Sequence, residues 1–345
     1  MFLRTVRCQQ FRSVFKPQFN RFISMTKRKI GTHDGTFHCD EALACFMLKQ
    51  TAEFRDSEVT RSRDPKVLDE QDIVVDVGGV YDATKLRFDH HQIGFDHTLD
   101  GYKTKLSSAG LVYKHYGREI IKNLTGKDDE KTINIIFDKV YKYFVEEIDG
   151  VDNGVNQYET ENPAKYRVTT TLGARVASLN PDWNDASPNP NASFVKAMNL
   201  TGEEFTEKVN YFANSWFPAR EIVESAFDKR EQVDPSGEII VLEKHCPWKS
   251  HLYDLEKEKN LEGVIKFALF GDQNGSWRVQ AISKTESSFS NRVDLLWKGM
   301  RDKELSEASG IENGVFVHIS GFIGGNKTKE GALEMARKSL AASKQ

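Results

Sequence analysis

At 345 residues the chain is long enough to bury one large or two ordinary cores. Its 39% hydrophobic and 29% charged residues fit a globular protein, and no apolar run is long enough to cross a bilayer. The formal charge of −3 is unevenly spread: the first 29 residues hold eight Lys or Arg and no acid, leaving residues 30–345 at about −11, a poor surface for gripping long nucleic acid by its phosphates alone.

Those first residues interleave Phe2, Leu3, Val6, Phe11, Val14 and Phe15 with Arg4, Arg7, Arg12 and Lys16. A basic, acid-free segment able to form an amphipathic helix is the profile of a mitochondrial transit peptide, expected over residues 1–26 with the matrix as destination. Met25, followed by Lys27-Arg28-Lys29, would start a second form without that signal, bound for the nucleus or cytosol. The four cysteines, Cys8, Cys39, Cys45 and Cys246, show no CxxC pairing, which points to a reducing compartment.

From Ile30 to about Pro190 the pattern is α/β. A Gly-rich loop (Gly31 to Gly35) leads to Asp40-Glu41 and the apolar run Ala42 to Leu48. Acids in a first turn complement the helix dipole, so a helix is expected near Asp40. Ile73-Val74-Val75-Asp76-Val77, ended by Gly78-Gly79, reads as a buried parallel strand. Leu86-Arg87-Phe88 runs into Asp89-His90-His91, and helices are expected at Ser108–Tyr116 and Lys131–Ile148, the second stopped by Asp149-Gly150. Asn180 to Asn191 reads as a linker, and Phe194 to Gln232 as helical with a break at Pro218. Strands are expected at Glu238–Glu243, Val264–Phe270, Trp277–Ile282 and Val315–Ile319, with a hairpin turn at Gln273-Asn274-Gly275 and a last helix from near Thr328. The expected division is residues 1–26 for targeting, 27–190 for a catalytic domain, 191–235 for a helical connector and 236–345 for a substrate-binding domain.

The chemistry concentrates in four segments of the first half: His33 with His38 and Asp40, Asp76, Asp89-His90-His91, and Asp149. Two adjacent histidines alone would be ordinary surface residues; four such clusters are hard to obtain by accident. Asp76 stands at a strand's carboxyl end, where open α/β sheets bind ligands, and its two oxygens could bridge two metals. Imidazole and carboxylate donors without thiolates favour manganese, with magnesium or zinc as alternatives. His91 is left to contact a scissile phosphate or leaving oxygen. No Ser-His-Asp or Cys-His arrangement and no GxxxxGK[ST] loop is present. His115, His245 and His251 read as solvated or hydrogen-bonded, and Cys39 as a small buried residue. In the second half, Gly324, Gly325, Asn326 and Lys327 before a helix read as a phosphate cradle or simply as a turn; His318 and Arg292 could join such a cradle, and Arg292 reads equally as an ordinary surface arginine. The aromatic residues form no evident stacking platform.

The segments GTHDGTFHCDEALACFMLK, VVDVGG, FDHHQ and EEIDGVDNG resemble the four motifs of the DHH phosphoesterases. WFPAREIVE, QVDPSGEIIVLEKHCPWKSHLYDLE and VFVHISGFIGGNKTKEGALEMARKSL narrow the resemblance to the melanocyte-proliferating-gene (Myg) family, over nearly everything after Lys29. The resemblance implies a parallel-sheet α/β catalytic domain, a smaller α+β C-terminal domain, and an active site in the cleft between them. It implies one metal on His33, His38 and Asp76 and a second on Asp40, Asp76, His90 and Asp149. His38 departs from the commoner first motif, where an Asp stands. Asp89 would orient an imidazole, and Asp152 is a spare carboxylate near Asp149. The implied activity is 3′-5′ RNA exonuclease in mitochondrion and nucleus, acting on RNA 3′ ends or short oligonucleotides with two divalent ions. The alternatives are a small-phosphate hydrolase and a noncatalytic RNA-binding scaffold.

Overall fold

The structure, a computed structural model, describes residues 27–344. The targeting segment, Cys8 and the start at Met25 lie outside them.

The chain forms two mixed sheets, each of five strands. The first holds β1 (Lys29–Thr32), β2 (Glu58–Arg61), β3 (Ile73–Val75), β4 (Tyr81–Asp82) and β5 (Arg87–Phe88) in the order β2-β1-β3-β5-β4. Every neighbouring pair is parallel except β4 with β5. Ile30 pairs with Ile73 and Val75 with Phe88. All four are buried, as the uninterrupted apolar runs require of strands covered on both faces. Because β1, β3 and β5 are parallel neighbours, the segments leaving Thr32, Val75 and Phe88 emerge side by side at one edge of the sheet. That placement brings three of the four chemical clusters together.

The helices Cys39–Leu48, Ser108–Thr125 and Pro190–Tyr211 pack against one another, burying Leu43, Met47, Leu111, Tyr113, Phe205 and Val209. Two expected helix breaks are absent. The segment read as Lys131–Ile148 runs unbroken from Glu130 to Asp152 through a π turn at Tyr141–Val145. The helix starting at Pro190 passes through a second π turn, Phe212–Trp216, into Phe217–Asp228. That turn directly precedes Pro218, and its wider backbone accommodates a residue with no N–H to donate. Lys249–Glu258 and Asp302–Ser309 are helices without an earlier expectation.

The second sheet holds β6 (Ile239–Val241), β7 (Phe267–Gly271), β8 (Trp277–Ala281), β9 (Gly314–Val317) and β10 (Ile323–Asn326) in the order β6-β7-β8-β10-β9, antiparallel except β6 with β7. Alternate residues serve its two faces. Phe267 and Leu269 pack with Met335, Ala336 and Leu340 of the last helix, Lys329–Ser343, while Ala268 and Phe270 pack with Leu252 and Leu255. The halves are joined by partly buried polar contacts: Lys139 Nζ lies 2.9 Å from Asp254, and Trp216 Nε1 donates to Ser250 Oγ at 2.7 Å. His251 stacks on Trp216 with ring centroids 4.0 Å apart, and its Nε2 meets the Trp216 carbonyl at 2.7 Å.

Candidate metal centre

His33 follows β1 directly, and Asp34 turns the chain away so that its carbonyl meets His33 Nδ1 at 2.9 Å. His38 occupies the N-cap of the helix Cys39–Leu48, with its N–H donating to the Glu41 carboxylate at 2.9 Å. Asp40, in the first turn, is fully buried. Asp76 follows β3 in the left-handed region, φ 58°, a conformation costing of order 1–3 kcal/mol. Ser108 Oγ donates to its Oδ1 at 3.1 Å.

These groups converge. His33 Nε2 lies 3.0 Å from Glu41 Oε1 and 3.3 Å from Asp76 Oδ2. His90 Nε2 lies 3.0 Å from Asp152 Oδ2 and 3.3 Å from Asp76 Oδ1, in neither case with hydrogen-bond direction. Three overlapping sets each bring their donor atoms within 4.8 Å of one another: His33, His38, Glu41 and Asp76; Asp76, His90 and His91; His38, Asp40 and Asp152. Asp76 belongs to two sets and His38 to two.

The charges are those of a cluster built around cations. Burial, with Asp76 and Asp152 nearby, pushes the Asp40 carboxyl well up. Neither of its oxygens has a hydrogen-bond partner, and an unpaired buried carboxylate costs several kcal/mol. Burial alone would lower the His33 and His90 pKa values. The carboxylates of Asp76 and Glu41 outweigh it for His33, and those of Asp152 and Asp76 for His90, holding both at about 10. Burial would raise Asp76, yet the two imidazoles hold it well below the ordinary carboxylate range. Protons on histidines stand where divalent ions would neutralise the same carboxylates. The donor chemistry and the orphaned oxygens of Asp40 fit such ions.

The second turn of support is also in place. Asp89 accepts from Gly79 N–H at 2.6 Å through Oδ2, and its Oδ1 lies 2.7 Å from His91 Nδ1. It therefore ties the Gly78-Gly79 turn to an imidazole whose Nε2 is unengaged among the described residues. His90 Nδ1 faces Asn153 Oδ1 at 3.2 Å.

Asp149 departs from its expected place. Its Oδ1 accepts from Ser107 N–H, Ser107 Oγ and Gly110 N–H at 2.9, 2.7 and 3.0 Å, and its Oδ2 from Tyr141 at 3.0 Å. This carboxylate caps the start of the helix Ser108–Thr125, and a Cβ on Gly110 would meet it at 2.3 Å. Burial raises its pKa to about 7 despite these donors. Asp152, three residues on, faces His90 instead. Glu41, Asp152 and Asn153 are the site residues without an earlier assignment to it.

The residues expected to bind substrate in the second half also lie elsewhere. Arg292 forms a buried bidentate pair with Glu256, at 2.6 and 2.8 Å. Gly324 and Gly325 are not a loop but lie in β10, where a Cβ on Gly325 would meet Arg278 at 2.8 Å. Asn326 is buried, donating to Glu312 O and accepting from Thr328 N–H. His318 is exposed against Ser320 and Phe322, and Lys327 is exposed. None lines the cleft of about 810 Å³ that opens at His38, His91 and Asp152. That cleft is walled by residues of the first half alone, from His38 to Tyr211; the second half approaches through Glu286, which accepts from the Tyr143 hydroxyl.

A mixed α/β sheet whose strand ends gather histidines and carboxylates around orphaned oxygens defines a metal-dependent hydrolase. Residues 29–340 match the family MYG1_exonuc, described as an uncharacterised protein family (UPF0160), and the chain belongs to that family. It is similar to the MYG1 exonuclease of Bos taurus (51% identity, covering 92% of this chain and 86% of the relative). It is likewise similar to that of Homo sapiens (49%, covering 95% and 90%) and to the MYG1 protein of Caenorhabditis elegans (50%, covering 90% and 94%). A solved structure, the exonuclease RecJ bound to manganese, aligns over 92% of this chain and 91% of its own at 13% identity with a TM-score of 0.23, too slight a likeness to carry an argument.

Proposed function

We propose that the chain is a 3′-5′ exoribonuclease with two divalent ions, manganese in preference to magnesium, at the cluster. The observation that carries the reading is the buried Asp40 carboxylate, both oxygens unpartnered among the described residues, in one ligand set with His38 and Asp152 that joins the His33 and Asp76 set through His38, beside an open cleft. The relatives' name, exonuclease, supports the activity.

Asp76 would be shared by the two ions, with His33, His38 and Glu41 on one side and Asp40, Asp152 and His90 on the other. Bound there, such a pair supplies a water of lowered pKa and neutralises charge on an in-line phosphoryl transition state. The chain's own residues do the rest. Asp89, fixed by Gly79 N–H, holds a proton on His91 Nδ1 and leaves Nε2 for a phosphate or leaving oxygen. Asn153 sets the His90 ring, and Ser108 sets Asp76. An inorganic phosphate or pyrophosphate substrate would have no use for the aromatic side chains on the cleft wall, Tyr143, Phe144 and Tyr211.

The direct test is degradation of 5′-labelled single-stranded RNA with manganese, comparing the protein with Asp76→Ala. A ladder shortening from the 3′ end, lost in the variant, supports the proposal; pyrophosphate or dinucleotide turnover without RNA cleavage would replace it. The mitochondrial matrix, with a second form from Met25 in nucleus or cytosol, is likewise proposed. Residues 1–29 fused to a fluorescent protein should enter mitochondria, and diffuse fluorescence would remove the assignment.

A further inference from the structure

The cleft beside the cluster has a composition that neither the family nor the metal centre accounts for. Its charged walls, apart from Asp152, carry Glu147, Glu204 and Glu207 against Arg175 and Lys208. Arg175 is committed to Glu204 through both guanidinium nitrogens, which leaves Lys208, half-buried and in no ion pair among the described residues. A track for a polyphosphate backbone needs a row of cations, and this cleft offers the reverse.

It offers aromatic surface instead. Tyr143, Phe144 and Tyr211 come from two different helices, and Tyr211 is 43% exposed. Phe212 lies against both tyrosines, at 5.6 and 5.2 Å between centroids. Aromatic side chains gathered along an open cleft suit a base, because every base has a π-face. The volume, about 810 Å³, lies within the roughly 300–1,000 Å³ typical of small-molecule pockets.

We infer, on the reading of the chain as an exoribonuclease, that this cleft receives the terminal nucleoside of the RNA, with its base on Tyr143, Phe144 and Tyr211 and its phosphate at the metal cluster. The acidic wall turns away a second phosphate, so the chain is shortened one nucleotide at a time. Terminal recognition is thereby built into the metal-bearing half and does not depend on Gly324, Gly325 or Lys327.

Gly173 provides the test. It lines the cleft within the helix Leu172–Ala177, its backbone is outside the left-handed region, and an added Cβ meets nothing within 4 Å. Gly173→Trp fills the cleft from a position where side chains fit. The full-length variant should bind manganese by calorimetry as the wild type does, yet degrade RNA at least about a hundredfold more slowly, the scale of lost substrate positioning. Tyr211→Ala should raise KM for RNA about tenfold, the scale of one lost base stack. Manganese binding together with wild-type RNA turnover in Gly173→Trp, or an unchanged KM in Tyr211→Ala, would overturn the cleft assignment. A wild-type protein inactive on RNA would overturn the exoribonuclease reading itself, and this inference with it.

Discussion

Buried charge is handled in opposite ways by the two halves of the molecule. In the second half, Arg292 and Glu256 meet in a bidentate pair, and Glu256 also accepts the Ile265 N–H at 3.0 Å. In the first, Asp40 is equally buried and its oxygens have no hydrogen-bond partner among the described residues, while His38 and Asp152 bring donor atoms within 4.8 Å of it. A satisfied buried ion pair is finished and asks for nothing more. An unsatisfied one is retained against its own cost, and the chemistry that would satisfy it is the function. By that criterion Arg292 is structural, neither the substrate contact nor the surface arginine that its sequence context allows.

The largest expected effect breaks the first half's cluster. Asp76→Asn removes the charge shared by two ligand sets and should lower RNA turnover at least about a thousandfold, the scale of losing a principal electrostatic stabiliser, with the fold retained by circular dichroism. Next comes the second half: Glu256→Ala strands a buried guanidinium and should cost about 3–5 kcal/mol in urea unfolding. Activity per folded molecule should be unchanged, and a selective loss of RNA turnover would restore Arg292 and its partner to the substrate site. Third, the two aspartates on one helix separate the criteria. Asp152→Ala should weaken manganese binding more than Asp149→Asn, which is expected to cost about 1–3 kcal/mol of stability through its lost acceptors; titration calorimetry and urea unfolding read the two.

The fourth expectation concerns pH. His33 and His90 are raised from 6.5 to about 10 in the folded chain. In protein stripped of metal, their stabilising contribution is therefore full below about 6.5 and lost as pH rises through about 10. Metal binding needs the neutral imidazoles, so these two histidines alone should contribute close to two released protons near pH 8. Calorimetry in two buffers of different ionisation enthalpy counts them, and no release would mean that these histidines are not ligands. The smallest effect is Gly173→Ala, expected to add about 0.5–1 kcal/mol because glycine is a poor helix residue.

Much of this site was legible because ligand chemistry is concentrated: His33, Asp76 and His90 each stand at or next to the end of an apolar strand. What was not legible has a physical reason in each case. Glu41 three residues after an N-cap looks like an ordinary capping acid, and it does accept the His38 N–H; only the fold shows its other face at His33. Asp149-Gly150 looks like a helix stop, yet the helix continues to Asp152, and so Asp152 rather than Asp149 meets His90. Gly324-Gly325 looks like a turn, but the pair is a strand kept narrow by Arg278 and Phe316. The cleft's aromatic wall is drawn from residues 143, 144 and 211, too far apart in sequence to form a visible motif.

The π turn at Tyr141–Val145 sits between Lys139, which anchors the second half, and Asp149 and Asp152, which serve the first. An α-helix advances about 100° per residue, and the wider π turn absorbs one residue more than regular winding would, so forcing the same residues into an unbroken α-helix would swing both acids about a quarter-turn out of phase. The extra residue works as an indexing step in a crankshaft: it sets the angle at which one rod delivers Asp152 to His90 and Asp149 to the start of the neighbouring helix, while its other end stays bolted to the opposite half.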